Sequence, residues 1–206
     1  MKGIFITMEG PDGAGKTTQM ELLSASLQER GYEVLLTREP GGTKISESIR
    51  GILLDPAYKE MKPETELLLY AAARAQLVQQ VIGPAVEAGK AVISDRFVDS
   101  SVVYQGIARG LGIETVYAVN RPAIGKYMPD ATFLLDLSAK EGIARKKNQA
   151  ELDRMEQESL DFHEKVAAGY RTLAERDPER ILTIDATLPK EVICDMIKGK
   201  VFSLLR

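Results

Sequence analysis

The sequence predicts an α/β protein in which a mainly parallel sheet is covered by helices on both faces. Short apolar runs of strand length alternate with longer helical patterns, and this alternation is typical of parallel sheets. A glycine-rich loop follows the first of these runs. The 206 residues, 44% of them hydrophobic, suit one domain with a substantial core, and we find no repeat or linker that divides the chain.

Each predicted strand is a short, β-rich apolar run, and we expect five of them: residues 3–9, 33–37, 90–95, 131–137 and 180–185. The predicted helices occupy residues 16–30, 64–87, 98–109, 140–147, 155–176 and 190–205. Pro63, followed by Glu64 and Glu66, makes a good helix start, because proline suits the first turn and acidic side chains suit the helix dipole.

The loop after the first predicted strand matches a phosphate-binding pattern. Residues 10–17, GPDGAGKT, fit G-x-x-x-x-G-K-[ST] beyond the carboxyl end of that strand, where α/β sheets bind their ligands. Backbone N–H groups of such a loop point at phosphate oxygens, Lys16 can reach the β and γ phosphates, and the Thr17 hydroxyl suits Mg²⁺. We expect Lys16 to be an exposed charge of the site. The predicted phosphate-binding residues are Gly10, Pro11, Asp12, Gly13, Ala14, Gly15, Lys16, Thr17 and Thr18.

The rest of the sequence narrows the class of P-loop protein. The guanine-reading N-K-x-D stretch of switch GTPases and the L-S-G-G-Q-like segment of ABC-type ATPases are both absent. Arg38 and Arg96 follow the second and third predicted strands, and Arg50 and Arg74 lie on helical stretches. A single arginine usually belongs to a solvated charged face. Together, however, these arginines fit a second anionic substrate that must approach the nucleotide phosphates closely.

The composition argues against several partners. The net charge is −3, whereas proteins that neutralise a polyanion usually carry a basic excess, so nucleic acid and an anionic membrane are poor candidates. No apolar stretch approaches the roughly 20 residues of a membrane span, and the apolar run after Lys2 is too short for a secretory signal. The single cysteine, Cys194, excludes an internal disulfide and is expected to be a small packed core residue. We therefore expect a soluble, cytoplasmic protein.

Four motifs, in order along the chain, resemble those of bacterial thymidylate kinases. They are EGPDGAGKTT (9–18), TREPGGT (37–43), SDRFVDSSVVYQG (94–106) and AELDRMEQES (150–159), and the resemblance extends to TIDA (183–186). The resemblance implies one P-loop nucleoside monophosphate kinase domain over residues 1–206, with a five-stranded parallel sheet and a short lid at about 142–154. It further implies that a homodimer transfers the γ-phosphoryl group of ATP to dTMP with Mg²⁺, in dTTP synthesis.

The same resemblance assigns residues to the dTMP base and sugar. Asp12 is expected to turn away from ATP and to accept a hydrogen bond from the 3′-OH of the deoxyribose, although an acidic turn residue also has a purely local explanation. Tyr70 and Arg74 share one helix face, so the ring suits stacking on thymine and the guanidinium suits its O4. Members of the family carry phenylalanine at the position of Tyr70, and a core tyrosine beside a snorkelling arginine is the alternative.

Further residues are assigned to the phosphates and to the remaining surface of the acceptor. Arg96 is expected at the acceptor phosphate, with Arg38 and Arg50 near it, and Asp95 is expected with Thr17 near Mg²⁺. Within the motif 94–106, three residues are expected to face the base and sugar: Ser101, Tyr104, which would crowd a 2′-OH, and Gln105.

Catalysis is expected to depend on cations and not on a general base, because the attacking phosphate oxygen is already anionic at neutral pH. Lys16 and Arg96 are two of the catalytic cations. The phosphate loop itself carries no arginine, so the lid is expected to add Arg145 and Arg154, with Lys147 as an alternative. A basic, solvated helix end is the competing interpretation of this segment.

Two other functions stay open on the sequence. A kinase for another nucleotide or nucleoside would share the fold and the loop, and a nucleotide-dependent switch or interaction module would need only the loop. The acceptor-side arginines weigh against the switch, because a hydrolase needs no second anion site. The lone His163 is expected to be a helix-surface or partly packed residue with no part in the site.

Overall fold

The computed structural model describes residues 3–146 and 152–205. Five strands form one parallel sheet in the order β2-β3-β1-β4-β5. They are β1 (Ile4–Glu9), β2 (Val34–Arg38), β3 (Ala91–Asp95), β4 (Ala131–Asp136) and β5 (Ile181–Asp185). All five predicted strands are confirmed, and each predicted end lies within one residue of the observed end.

The register brings the predicted site residues to one edge of the sheet. Met8 of β1 pairs with Asp95 of β3, and Arg38 of β2 pairs with the same residue. Because the strands are parallel, the carboxyl ends of β1, β2 and β3 lie side by side. Glu9, Arg38 and Asp95 are therefore the last strand residues along this edge, directly below the loops that follow.

The helices pack on both faces of the sheet. They are α1 (Lys16–Gln28), α2 (Lys44–Leu54), α3 (Pro63–Leu77), α4 (Gly83–Glu87), α5 (Val98–Ser101), α6 (Ile113–Ile124), α7 (Ala139–Lys146), α8 (Leu160–Arg176) and α9 (Lys190–Leu204). Alternate residues of β1 contribute to different cores: Ile4, Ile6 and Met8 pack with α1 and α9, whereas Phe5 packs with α3 and α4. Cys194 is buried, as predicted. Within the described ranges, no helix combines the length and the apolar character needed to cross a bilayer.

Several helices differ from the prediction. The predicted helices 64–87 and 98–109 each contain a π-helical segment, Val78–Ile82 and Val102–Ala108. The ranges of α2 and α6 were not predicted, although Arg50 of α2 was expected on a helical stretch. The first helix contains Gly51 and the second Pro122, residues that weaken a helical pattern in sequence.

Helix α8 begins five residues later than the pattern 155–176 suggests. Asp153 Oδ1 accepts the N–H groups of Met155 and Glu156, which closes a turn in place of a helical start. The helix then starts at Leu160, where the Ser159 side chain caps the N–H of Phe162.

Candidate active site

The phosphate loop joins β1 to α1 and depends on its glycines. Gly10 has φ 129°, and a Cβ added there would lie 2.4 Å from the Leu135 carbonyl oxygen of β4. No other residue type fits this approach without displacing the central strands. Gly13 packs in the same close manner against Gly142 of α7, since a Cβ on Gly13 would lie 2.8 Å from the Gly142 carbonyl oxygen. The loop is thereby fixed between the sheet and α7.

Lys16 is buried, at 6% exposure, so the expectation of an exposed charge is wrong. Its ammonium group donates to the carbonyl oxygens of Gly10 at 3.2 Å and Pro11 at 3.1 Å, which folds the side chain back over its own loop. Burial, and then the charge of Arg96, lower the pKa of Lys16 to about 8, against the attraction of Asp95 and Asp12. A cation partly stripped of water interacts more strongly with an incoming phosphate.

Asp95 and Thr17 are suitable ligands for Mg²⁺ at this loop. Oδ1 of Asp95 is buried and has no hydrogen-bond partner among the described residues, and the Lys16 ammonium group lies 3.9 Å from it. Carboxylate and hydroxyl oxygens are the hard ligands that Mg²⁺ prefers. The described residues hold no group of three or more histidine, cysteine, aspartate or glutamate side chains that would bind a metal by themselves. A magnesium ion here therefore needs the nucleotide phosphates and water to complete its shell.

Arg96 follows β3 and has an uncommon backbone conformation. Its φ is 70°, in the left-handed region that non-glycine residues enter at a cost on the order of 1–3 kcal/mol. The side chain is held in place: Nη2 donates to Asp12 at 2.8 Å, and Nη1 donates to Ser100 Oγ at 3.2 Å and to the Tyr170 hydroxyl at 2.9 Å. Asp12 therefore turns toward Arg96, and its Oδ1 also lies 3.8 Å from the Lys16 ammonium group. Asp12 joins the phosphate loop to the neighbouring cavity.

A cavity beside this loop brings most of the predicted acceptor residues together. Eight of the nine residues assigned to the acceptor line it: Asp12, Arg50, Tyr70, Arg74, Arg96, Ser101, Tyr104 and Gln105. Sequence reasoning missed other lining residues, among them Glu39, Ser100, Asp153, Met155 and Glu156. His163, for which no part in the site was expected, lines the cavity as well, and its Nε2 is buried with no hydrogen-bond partner.

Arg74 lies deep in the wall of this cavity at 1% exposure. Its Nε donates to Glu39 Oε2 at 2.8 Å, Nη2 donates to Ser101 Oγ at 3.1 Å, and Nη1 donates to Asn120. Burial raises the pKa of the Glu39 carboxyl to about 7, although the charge of Arg74 opposes the shift. The arginine therefore forms a buried ion pair and lines the cavity.

Glu66 sets the orientation of Gln105. Glu66 is a 1% exposed carboxylate on α3, and Oε1 accepts from Gln105 Nε2 at 2.9 Å. Its pKa stays below the usual range: burial acts to raise it, and hydrogen bonds from Arg109 and Gln105 outweigh that effect. An ionised carboxylate only accepts hydrogen bonds, so the amide NH₂ of Gln105 must face Glu66 and its Oε1 is left as an acceptor on the other side. Tyr70 lies one turn further along α3, and burial raises the pKa of its hydroxyl.

Two predicted cations, Arg38 and Arg154, have their contacts elsewhere. Arg38 does not line the cavity; its guanidinium is half-exposed and bound to Glu47 at 3.0 Å, a partner nine residues away on α2. Arg154 is buried, donates to the Leu53 carbonyl oxygen at 2.7 Å and pairs with Glu66 at 2.7 Å. None of these contacts is with the phosphate loop.

Arg145 contacts the phosphate loop through a backbone carbonyl group. Its guanidinium donates to the Gly13 carbonyl oxygen at 3.2 Å and to the Ala186 carbonyl oxygen at 3.4 Å. Lys147, the alternative lid cation, lies outside the described residues, as does part of the predicted lid.

Two buried residues behind Arg96 were not predicted. Glu9 ends β1 and accepts from the Phe97 N–H and from the Ser100 and Tyr170 hydroxyls. An acidic residue at the end of a buried strand was a visible signal for Glu9. Tyr170 lies in the middle of an ordinary amphipathic helix pattern, so nothing in the sequence distinguishes it.

Comparison with known proteins places this site in context. A sequence profile of the family described as "Thymidylate kinase" matches residues 8–197. A thymidylate kinase of Geobacillus sp. (strain WCH70) is 51% identical over 210 residues, covering 97% of this chain and 100% of the relative. A thymidylate kinase of Geobacillus thermodenitrificans is 48% identical, over 100% of this chain and 92% of the relative. A thymidylate kinase of Exiguobacterium sp. (strain ATCC BAA-1283 / AT1b) is 47% identical, over 96% of this chain and 93% of the relative.

Proposed function

The chain belongs to the thymidylate kinase family and is a dTMP kinase, and we propose that ATP and dTMP meet at the cleft between the phosphate loop and the Arg74 cavity. The reaction transfers the γ-phosphoryl group of ATP to dTMP, giving dTDP and ADP for dTTP synthesis. The nucleotide switch considered above is less suitable, because the cavity supplies a second anion site of its own.

The observation that carries the proposed site is the position of Arg96. Its guanidinium contacts Asp12 of the phosphate loop at 2.8 Å and also lines the acceptor cavity. Two anionic substrates repel each other, so a shared cation between their sites is needed for close, in-line approach. Lys16 supplies the second positive charge on the donor side, less than 4 Å from the same Asp12 carboxylate.

The cavity wall would complement the hydrogen-bonding edge of a thymine base. Arg74 would donate to O4, and Gln105, whose amide NH₂ faces Glu66, would accept from the N3–H group. Cytosine carries a donor at the 4-position and an acceptor at N3, so this wall would oppose it at both places. A mismatch of this kind costs more than a missing methyl group, because buried polar groups stay unpaired.

The remaining residues orient the acceptor and the transferring group. Tyr70 would stack on the base, Tyr104 would crowd a 2′-OH, and Asp12 would accept from the 3′-OH. The acceptor phosphate oxygen attacks without a general base, while Lys16 and Arg96 neutralise charge on the transferring group. Thr17 and Asp95 would hold Mg²⁺, which supplies further positive charge when bound.

We also propose a homodimer in the cytoplasm, without nucleic-acid or membrane partners. Apolar side chains project from α2 and α3, where Ile45 and Leu68 are 55% and 58% exposed, and a second copy would cover them. The net charge of −3 and the free, buried Cys194 suit a reducing compartment without polyanionic partners. Light scattering after size exclusion would measure the dimer, and a monomer at micromolar concentration would contradict it.

A coupled assay with MgATP tests the proposed specificity. The acceptors are dTMP, dUMP, CMP, AMP and thymidine, each at the same concentration. We expect dTMP to be the best acceptor, CMP and AMP to be poor, and thymidine, which lacks the phosphate for Arg96, to be inactive. Equal turnover of CMP and dTMP would contradict the match to a thymine edge, and steady ATP hydrolysis that needs no acceptor would favour a switch.

A further inference from the structure

The guanidinium of Arg96 is held by a hydroxyl from a distant part of the chain. Tyr170 lies in the middle of α8, and its hydroxyl accepts from Arg96 Nη1 at 2.9 Å. Tyr170 is only 2% exposed, so water does not compete for this contact. Ser100 of α5 accepts from the same Nη1 atom at 3.2 Å. The two hydroxyls lie 2.8 Å apart, and together they form a cradle for one edge of the guanidinium.

Glu9 sets the direction of these hydrogen bonds. Its Oε2 accepts from Ser100 Oγ at 2.6 Å and from the Tyr170 hydroxyl at 2.9 Å. An ionised carboxylate only accepts and a guanidinium only donates, whereas a hydroxyl has one proton and two lone pairs. When Glu9 is ionised, the hydroxyl protons therefore point at Glu9 and the lone pairs point at Arg96.

The backbone of Arg96 makes this support necessary. Its φ of 70° is unfavourable for a residue with a side chain and persists only where the surroundings impose it. The other guanidinium nitrogen, Nη2, contacts Asp12 on the phosphate loop. Arg96 is thus held from one side by α5 and α8 and from the other by the loop, at the boundary between the two substrates.

We propose that Tyr170 is a positioning residue of the phosphoryl transfer, which acts by holding the Arg96 guanidinium through its hydroxyl, with Ser100 and Glu9 as its support. The inference deepens the proposed function, because it rests on Arg96 meeting the transferring group. Tyr170 itself touches neither substrate. Its contribution is to keep the cation in the orientation that the transition state requires.

The variant Tyr170→Phe tests the proposal, because it removes one oxygen and leaves the packed ring. We expect kcat to fall about tenfold, with less than about a twofold change in KM for ATP and for dTMP, since the lost contact acts mainly in the transition state. The matched control is Tyr127→Phe. Tyr127 also donates its hydroxyl to a glutamate, Glu87, but at the surface, and its loss should leave kcat unchanged.

A double-variant cycle separates positioning from a structural role. If Tyr170 acts through Arg96, Tyr170→Phe should cost little when added to Arg96→Lys, measured by single turnover. An undiminished kcat in the single variant, or the same tenfold loss in the Arg96→Lys background, would overturn the proposal. If Tyr170→Phe fails to fold, Ser100→Ala takes its place in the same cycle, and the same two outcomes would overturn the proposal.

The same assays distinguish this inference from the function on which it rests. A wild-type enzyme that does not phosphorylate dTMP would refute the proposed function. An active wild type whose Tyr170→Phe variant is equally active would refute only the role of Tyr170.

Discussion

Replacing Arg74 should separate its structural contribution from its contribution to binding. Arg74→Ala leaves Glu39, at 6% exposure, as a buried carboxylate without its cation. Breaking one partner of a buried pair costs about 3–5 kcal/mol of the free energy of unfolding. The pKa of Glu39 is already raised to about 7 by burial, and it rises further once Arg74 no longer opposes the shift. The destabilisation should therefore be largest above pH 7 and smaller in acid, where the carboxyl is protonated in both states.

The double variant Glu39→Gln/Arg74→Met removes the charge of both partners and keeps most of their volume. We expect it to recover much of the lost stability, since no unpaired charge is buried. It should still bind dTMP about 10- to 100-fold more weakly than the wild type, because a charged hydrogen bond of about 1.5–3 kcal/mol to the base is lost. ATP affinity should be unchanged, because Arg74 does not line the phosphate loop.

Urea unfolding measures the first effect, and calorimetric titration with each nucleotide measures the second. A folded double variant that binds dTMP as tightly as the wild type would refute the base contact. Equal losses for dTMP and ATP would show that Arg74 acts only through the fold.

Three further predictions concern other charges. Lys16→Ala should nearly abolish turnover without lowering the melting temperature, because the lost ammonium group is partly desolvated and contacts only loop carbonyls and carboxylates. Near-normal activity would show that the phosphate loop takes no part in catalysis. Arg154→Ala should lower the free energy of unfolding in urea by about 3 kcal/mol, since it breaks the buried pair with Glu66, whereas replacing the exposed Arg145 by alanine should change it by no more than about 0.5 kcal/mol. If the two arginines act as lid cations, both variants should lower kcat with little change in dTMP affinity. Intact kcat in both variants and in Lys147→Ala would exclude that role. Burial, and then the charge of Asp99, raise the pKa of Glu9 from 4.5 to about 7. The folded state therefore binds more protons than the unfolded state between these values, and the free energy of unfolding should fall as the pH rises from 4.5 to 7. Glu39 contributes a fall of the same sign, so Glu9→Gln should have a shallower slope than the wild type, and equal pH slopes would contradict the assignment.

The sheet and the phosphate loop could be predicted because their signals are local. A buried parallel strand is a short apolar run, and the loop is a contiguous pattern whose glycines are required by close approaches such as Gly10 to Leu135. The ranges of α2 and α6 were missed because glycine or proline interrupts their patterns, while packing on α3 stabilises both helices in the fold.

The partners of charged side chains were harder to predict, because they depend on tertiary structure. Arg38 and Arg96 occupy the same kind of position after a strand, yet Arg38 turns to Glu47 and Arg96 turns to Asp12. Arg154 was predicted as a lid cation, and its pairing with the buried carboxylate of Glu66 was not foreseen. The buried hydroxyl of Tyr170 contacts residues that are 70 or more positions away in the sequence, so its partners are set by the fold.

A crystal structure of the complex with dTMP would show the proposed acceptor site itself. We expect the thymine ring on Tyr70, O4 at the Arg74 guanidinium, N3–H at Gln105 Oε1 and the phosphate at Arg96. A dTMP molecule bound with its phosphate away from Arg96, or with its base outside the Arg74 cavity, would contradict the proposed site.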